Sequence, residues 1–282
     1  MNKINLTIKT ALTVAGSDPT GGAGIQADLK AFAGSGVYGL SVISAITAQN
    51  SHGVHAAWAL NGEQVAAQIK QLNVDFPIHS MKTGMLANAS VVHALVENLP
   101  NCPLVVDPVL RASLGSDLLD IDGLRVAQKH LWPNALLLTP NIPEAELILG
   151  LRIVDQPGML RAARGFFDFG VSAVLIKGGH LPWTGSFPSE CNDLLLVNGA
   201  AQPTWLNAER IPKKTHGTGC VFSALITARL ALGMPLEQAV RHAHSALHRA
   251  LAVAHPMGER QRASPDVFSK DYTNADYDSA QG

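Results

Sequence analysis

Short apolar, β-branched runs alternate along this chain with stretches of helical periodicity, and that alternation restricts the fold more than any other feature. Residues 11–16, 40–47, 79–83, 104–107, 136–139 and 173–177 read as strands. Residues 23–33, 63–72, 89–99, 160–169, 218–232 and 236–253 read as helices, and 194–197 pairs with the region 204–206 as a hairpin. Strands separated by helices are joined by crossovers, which lay the helices over the sheet. The expected fold is therefore α/β, three-layered, with a mainly parallel central sheet flanked by helices on both faces. With 282 residues, one domain is expected over 1–255, followed by a polar tail over 256–282 that frays at KDYTNADYDSAQG. Residues 181–191 hold two Pro, a Gly and two Ser, and read as an exposed loop able to cover a site.

Composition excludes several classes. The formal net charge is -1 and no basic block occurs, so no nucleic-acid partner is expected. No apolar run approaches the roughly 18–20 residues of a membrane helix, and the opening MNKINLTIKT lacks the core of a secretory signal. The three cysteines, Cys102, Cys191 and Cys220, are far apart and form no CxxC pair. A reducing, cytoplasmic setting is expected.

Ligands of such sheets bind at the carboxyl ends of the strands. Polar or glycine-rich residues follow the strands here at Ser17-Asp18, Gln49-Asn50, Lys82-Thr83-Gly84, Asp107, Asn141 and Lys177-Gly178-Gly179. The sharpest signal is Thr215-His216-Gly217-Thr218-Gly219-Cys220, a glycine turn running into an apolar helix. Glycines permit close backbone approach, and the free N–H groups and positive dipole end of a helix start attract an anion. The same field is expected to shift the Cys220 thiol toward thiolate. A plain helix cap with a small apolar cysteine fits the local sequence as well.

Other positions carry chemistry of their own. The primary amide of Gln49 offers a donor and an acceptor to a heteroaromatic edge. Asp28, behind the glycines 21, 22 and 24, can accept from a substrate hydroxyl. Asp107 and Glu144 can hold Mg²⁺, directly or through water, although an acid in a helix's first turn is also favoured by the dipole. Lys177 and Lys213 can reach a phosphate as point charges. His242, His244 and His248 read as a solvated or packed helix face. No GxxxxGK[ST], GxGxxG, GxSxG or HExxH motif is present where it would carry function.

In order and spacing, AGSDPTGGAGIQADLKAF, ITAQNSHGV, VVDPVL, LTPNIPEAELILG, VLIKGGH and KKTHGTGC resemble the hydroxymethylpyrimidine/phosphomethylpyrimidine kinases of thiamine biosynthesis, members of the ribokinase-like superfamily. The resemblance implies ATP- and Mg²⁺-dependent phosphorylation of 4-amino-5-hydroxymethyl-2-methylpyrimidine, and then of its monophosphate. It implies that Cys220 is the base, that Gly217, Thr218 and Gly219 form the anion hole, and that Gln49 and Asp28 meet the pyrimidine with Gly16, Met85 and Val109. By the same resemblance Asp107, Glu144, Asn141 and Lys177 fall on the nucleotide and Mg²⁺ side, where Lys213 is expected to help from before the anion turn. A homodimer is implied too. A pyridoxal or pyridoxine kinase of the same superfamily remains the alternative, and a non-catalytic pyrimidine sensor a more distant one.

Overall fold

The computed structural model describes residues 8–111, 115, 117–179, 190–213 and 215–268. The expected tip of the tail and nearly all of the 181–191 loop lie outside these residues.

The chain enters the sheet at β1 (Thr10–Ser17), crosses α1 (Gly24–Gly34), and returns as β2 (Tyr38–Asn50) beside β1. β3 (Gly53–Ala59) folds back antiparallel on β2. After α2 (Gly62–Asp75) the chain returns to the opposite side of β1 as β4 (Ser80–Thr83). It then steps outward through α3 (Ala89–Val96), β5 (Leu104–Val106), α4 (Ile121–Val126) and β6 (Leu137–Leu138). α5 (Ile142–Leu149), α6 (Gln156–Gly165) and β7 (Ala173–Ile176) follow, and the antiparallel pair β8 (Glu190–Val197) and β9 (Thr204–Glu209) closes that edge. The sheet order is β3-β2-β1-β4-β5-β6-β7-β8-β9. The direction of winding reverses between β1 and β4, and such a switch point opens a crevice at the strand ends.

Alternation along each strand builds two cores. Leu12, Val14, Met81, Leu104, Val106 and Leu138 face one layer, together with Val65, Ile69, Val91, Leu95 and Phe166 from the helices. Ala11, Val105, Leu137, Ala173 and Leu175 face the other, which is closed by α1, α7 (Thr218–Ala231) and α8 (Leu236–Ala252). α7 is buried almost all round, which explains its nearly continuous apolar sequence.

Several boundaries differ from the sequence reading. The helix expected over 160–169 begins earlier, because Asp155 caps it by accepting from the Gly158 N–H at 2.7 Å, and it tightens into a 3₁₀ turn over Phe166–Phe169. β3 was not foreseen: its residues are mostly exposed and show no apolar alternation. The polar tail does not begin at 256. β10 (Pro256–Met257) and β11 (Arg262–Ala263) form a small ladder, Ala263 and Val267 are buried, and Ala263 O accepts from the His216 N–H at 3.0 Å. The chain up to Phe268 is thus packed on the domain, anchored by two apolar residues within a polar stretch.

Candidate active site

One cleft of about 600 Å³ opens along the carboxyl ends of the parallel strands, spanning the switch point. All fourteen site residues expected from the sequence line it: Gly16, Asp28, Gln49, Met85, Asp107, Val109, Asn141, Glu144, Lys177, Lys213 and Gly217 through Cys220.

The anion turn is built backbone on backbone. Gly217 caps α7 with φ +73°, and a Cβ there would lie 1.7 Å from the Gly22 carbonyl oxygen. Gly24, with φ +57°, would bring a Cβ within 2.3 Å of the Gly16 carbonyl. These glycines serve loop-to-loop contact, where ligand approach was expected at Gly217 and approach of a ligand or a neighbouring helix at Gly24. Gly219 is the one turned toward the cleft: a Cβ on it would stand 3.1 Å from Lys177 Nζ and 3.8 Å from Asp107 Oδ2. The N–H groups of Thr218, Gly219 and Cys220 form the first turn, where no carbonyl lies one turn below. The buried Thr218 Oγ1 has no partner among the described residues, and an unpaired buried hydroxyl is costly unless a ligand completes it.

Beneath this turn charges alternate. Lys82 and Asp28 form a wholly buried pair at 2.6 Å, Thr13 Oγ1 donates to the other Asp28 oxygen at 2.6 Å, and Lys82 Nζ reaches the Cys220 carbonyl at 3.4 Å. Burial alone pushes the Asp28 carboxyl up, while the Lys82 ammonium beside it pulls the other way and itself keeps its proton. Asp28 therefore has each oxygen already engaged, one by Lys82 and one by Thr13, where a free acceptor for a substrate hydroxyl was expected. Lys177 donates to Asp107 at 2.8 Å, and Thr139 Oγ1 donates to the same oxygen at 3.1 Å. Burial would raise the Asp107 carboxyl, but Lys177 and Lys82 outweigh it and hold it low.

Glu144 and Asn141 form a reciprocal cap at the start of α5: Asn141 N–H donates to Glu144 Oε2 at 2.8 Å, and Glu144 N–H donates to Asn141 Oδ1 at 2.9 Å. Glu144 is thus the first-turn acid of α5, and it also lines the cleft. Burial pushes its carboxyl up to about 7. No group of three His, Cys, Asp or Glu among the described residues is placed to cage a metal. Two carboxylates in a cleft with an open helix start suit Mg²⁺, which keeps several waters and shares its ligands with phosphates.

Two expectations are corrected here. The Cys220 thiol is not shifted toward thiolate: burial pushes it up to about 11, and Lys82 offsets this only in part against Asp28 and Asp107. Lys213 stands at the rim, but its ammonium donates to the carbonyls of Leu251, Ala252 and Ala254 at 2.7–3.1 Å, capping the end of α8. At the other end of the cleft, Met85 packs on Gly16, its sulfur 3.0 Å from where a Cβ would be. Gln49 lies 3.0 Å from His216, and His216 lies 3.1 Å from Asp18. His244, read as a packed face, is half-buried with its Nε2 3.7 Å from Asp193 Oδ2 on the cleft wall. The sequence signal for Asp193 was an acid directly before the apolar run of β8.

An anion cradle at a helix start, a lysine beside it and two carboxylates at the end of a switch-point cleft define a phosphotransferase. The comparisons with known proteins narrow the class. The model of the phosphomethylpyrimidine kinase family matches residues 18–264. A hydroxymethylpyrimidine/phosphomethylpyrimidine kinase of Haemophilus influenzae is 41% identical over 261 residues, 92% of this chain and 96% of that one. The crystal structure of a phosphomethylpyrimidine kinase from Clostridium difficile is 38% identical, with TM-score 0.73, over 85% of this chain and 97% of that one. A pyridoxal kinase from Staphylococcus aureus, solved with AMP-PCP and pyridoxal, is 30% identical with TM-score 0.81, over 92% of this chain and 94% of that one. The chain belongs to the phosphomethylpyrimidine kinase family and has its ribokinase-like fold.

Proposed function

We propose that this protein transfers the γ-phosphoryl group of ATP to the hydroxymethyl group of 4-amino-5-hydroxymethyl-2-methylpyrimidine, and then phosphorylates the monophosphate to the pyrophosphate used for thiamine. The observation that carries this reading is that one cleft is lined both by Gly16, Gln49, Met85 and Val109 and by the start of α7. The acceptor's alcohol and the donor's phosphate meet where those two parts join.

Phosphoryl transfer needs positioning and charge neutralisation more than covalent chemistry. The first-turn N–H groups of α7, with the Thr218 hydroxyl and Lys177, would stabilise charge on the group in flight. Bound Mg²⁺ supplies charge neutralisation across the phosphates, and Asp107 and Glu144 would hold it. Asn141 shapes this side by fixing Glu144. Cys220 begins protonated, so in the resting site it orients the alcohol. The alcohol becomes acidic as its oxygen bonds to phosphorus, and only then does its proton leave, late in the reaction, either to solvent directly or to the sulfur as the thiol passes its own proton on to solvent.

The pyridoxal kinase neighbours give the alternative reading its support, because both ring systems carry a hydroxymethyl group. One assay with Mg-ATP and hydroxymethylpyrimidine, its monophosphate or pyridoxal separates the two. Turnover highest with the pyrimidines supports the proposal; turnover with pyridoxal alone overturns it. A homodimer in the cytoplasm belongs to this reading, and sedimentation at micromolar concentration tests the dimer. Among the described residues no helix is long and apolar enough to cross a membrane.

A further inference from the structure

The contacts around Gln49 contain a conflict that fixes its orientation. Asp18 receives four donors: the Thr20 N–H at 2.9 Å, the Thr20 hydroxyl at 2.9 Å, the Ala23 N–H at 2.8 Å, and His216 Nε2 at 3.1 Å. Burial would raise this carboxyl, but the hydrogen bonds from His216, Thr20 and Ala23 outweigh it and hold Asp18 below its usual range. An ionised Asp18 only accepts, so the proton of the His216 ring sits on Nε2. The amide nitrogen of Gln49 lies 3.0 Å from that same Nε2. Two donors then face each other. A half-turn of the amide about its last torsion exchanges nitrogen for oxygen at unchanged positions and removes the conflict. Gln49 Oε1 then shares the one His216 Nε2–H with Asp18 as a three-centre hydrogen bond.

The consequence reaches the cleft. With one lone pair of Oε1 on His216, the other lone pair and an Nε2–H face the ring pocket as an adjacent acceptor and donor. This pattern matches a ring nitrogen beside an exocyclic N–H, the edge of a 4-aminopyrimidine. It does not match a ring carbon beside a hydroxyl or methyl group. We propose that Asp18 and His216 are positioning residues that hold the Gln49 amide in one orientation, and thereby select an aminopyrimidine edge. The inference rests on the reading of Gln49 as the ring-reading residue. It adds two residues, from the loop after β1 and from the anion turn itself. His216 thus ties recognition of the ring to the start of α7, since its main chain leads directly into Gly217.

Steady-state kinetics of the full-length protein test this with 4-amino-5-hydroxymethyl-2-methylpyrimidine and the analogue lacking the 4-amino group. His216→Phe is expected to raise KM for the amino compound about tenfold, the value of one hydrogen bond. It should leave kcat, KM for ATP and KM for the analogue within about twofold. His216→Gln, which can place an N–H near the Nε2 position, should recover most of the loss. Asp18→Asn, which removes the carboxylate that keeps the proton on Nε2, should give the same selective rise and serves as the second variant if the phenylalanine protein does not fold. A rise shared equally by both compounds, or a fall in kcat alone, overturns the inference and leaves His216 as a brace for the turn. Gln49→Ala separates the two layers. If it leaves KM for the amino compound unchanged, the reading of Gln49 fails. If it abolishes discrimination while His216→Phe and Asp18→Asn preserve it, only the positioning role fails.

Discussion

Cys220 sits at the third residue of α7, where the helix field should favour thiolate, yet burial wins and pushes the thiol up to about 11. The floor of the site is already balanced: two lysines face two aspartates, so little net positive charge is left for the sulfur. A thiol with that value is almost wholly protonated at neutral pH, whereas an ordinary cysteine is partly ionised. Alkylation of Cys220 by iodoacetamide at pH 7.5 should therefore run roughly a hundredfold slower than that of a free cysteine, and should climb steadily to pH 10. Rapid labelling at pH 7.5, mapped to Cys220 by mass spectrometry, would contradict this. The linked effect on stability follows the same sign. The folded state holds the proton more tightly than the unfolded chain, so stability falls as pH rises from the unfolded value near 9 toward about 11. In catalysis, Cys220→Ala should lower kcat about a hundredfold, the low end of general acid–base effects, with KM for both substrates nearly unchanged. Near-normal turnover would remove Cys220 from the mechanism.

At the scale of elements, the start of α7 is the joint on which the site depends. Gly217→Ala places a methyl group into the Gly22 carbonyl and strains a positive φ, so the two loops must separate. That variant should lose about 2–4 kcal/mol in urea unfolding and nearly all turnover; wild-type stability would show that the loops shift freely. Lys213→Met acts on another element. It removes the ammonium that caps α8, so it should cost about 1 kcal/mol while leaving KM for ATP unchanged. A tenfold rise in that KM would restore Lys213 to the nucleotide. These positions also show what was legible in the sequence. Strands with both faces buried, and helices with strong periodicity, were found within a few residues, because burial leaves its pattern in every such element. The exposed strand β3 and the short helix α4 bury too little to leave one. The cleft was legible as a row of polar strand ends. What a given side chain does there was not, since Lys213 and Asp28 are engaged by partners distant in sequence.

Across the whole molecule, the pair Lys82–Asp28 links the layers: it joins β4 in the sheet to α1 above it and touches the Cys220 carbonyl in the first turn of α7. Both side chains are fully buried. Removing one partner leaves an uncompensated buried charge, which costs about 3–5 kcal/mol. Replacing the cluster by apolar groups of similar size costs little. Lys82→Met alone should thus lower Tm by about 10 °C. The triple change Thr13→Val, Asp28→Leu and Lys82→Met removes every polar group of the cluster and should regain most of that loss. Activity should not return with stability. Lys82 also holds the Cys220 carbonyl at 3.4 Å and is one of the two cations that keep Asp107 ionised. The triple variant should therefore melt near the wild-type temperature while kcat stays at least tenfold down, about 1.4 kcal/mol of transition-state stabilisation. Recovery of both would reduce the pair to packing. Recovery of neither would mean that the ion pair itself specifies the fold at the point where sheet, α1 and α7 meet.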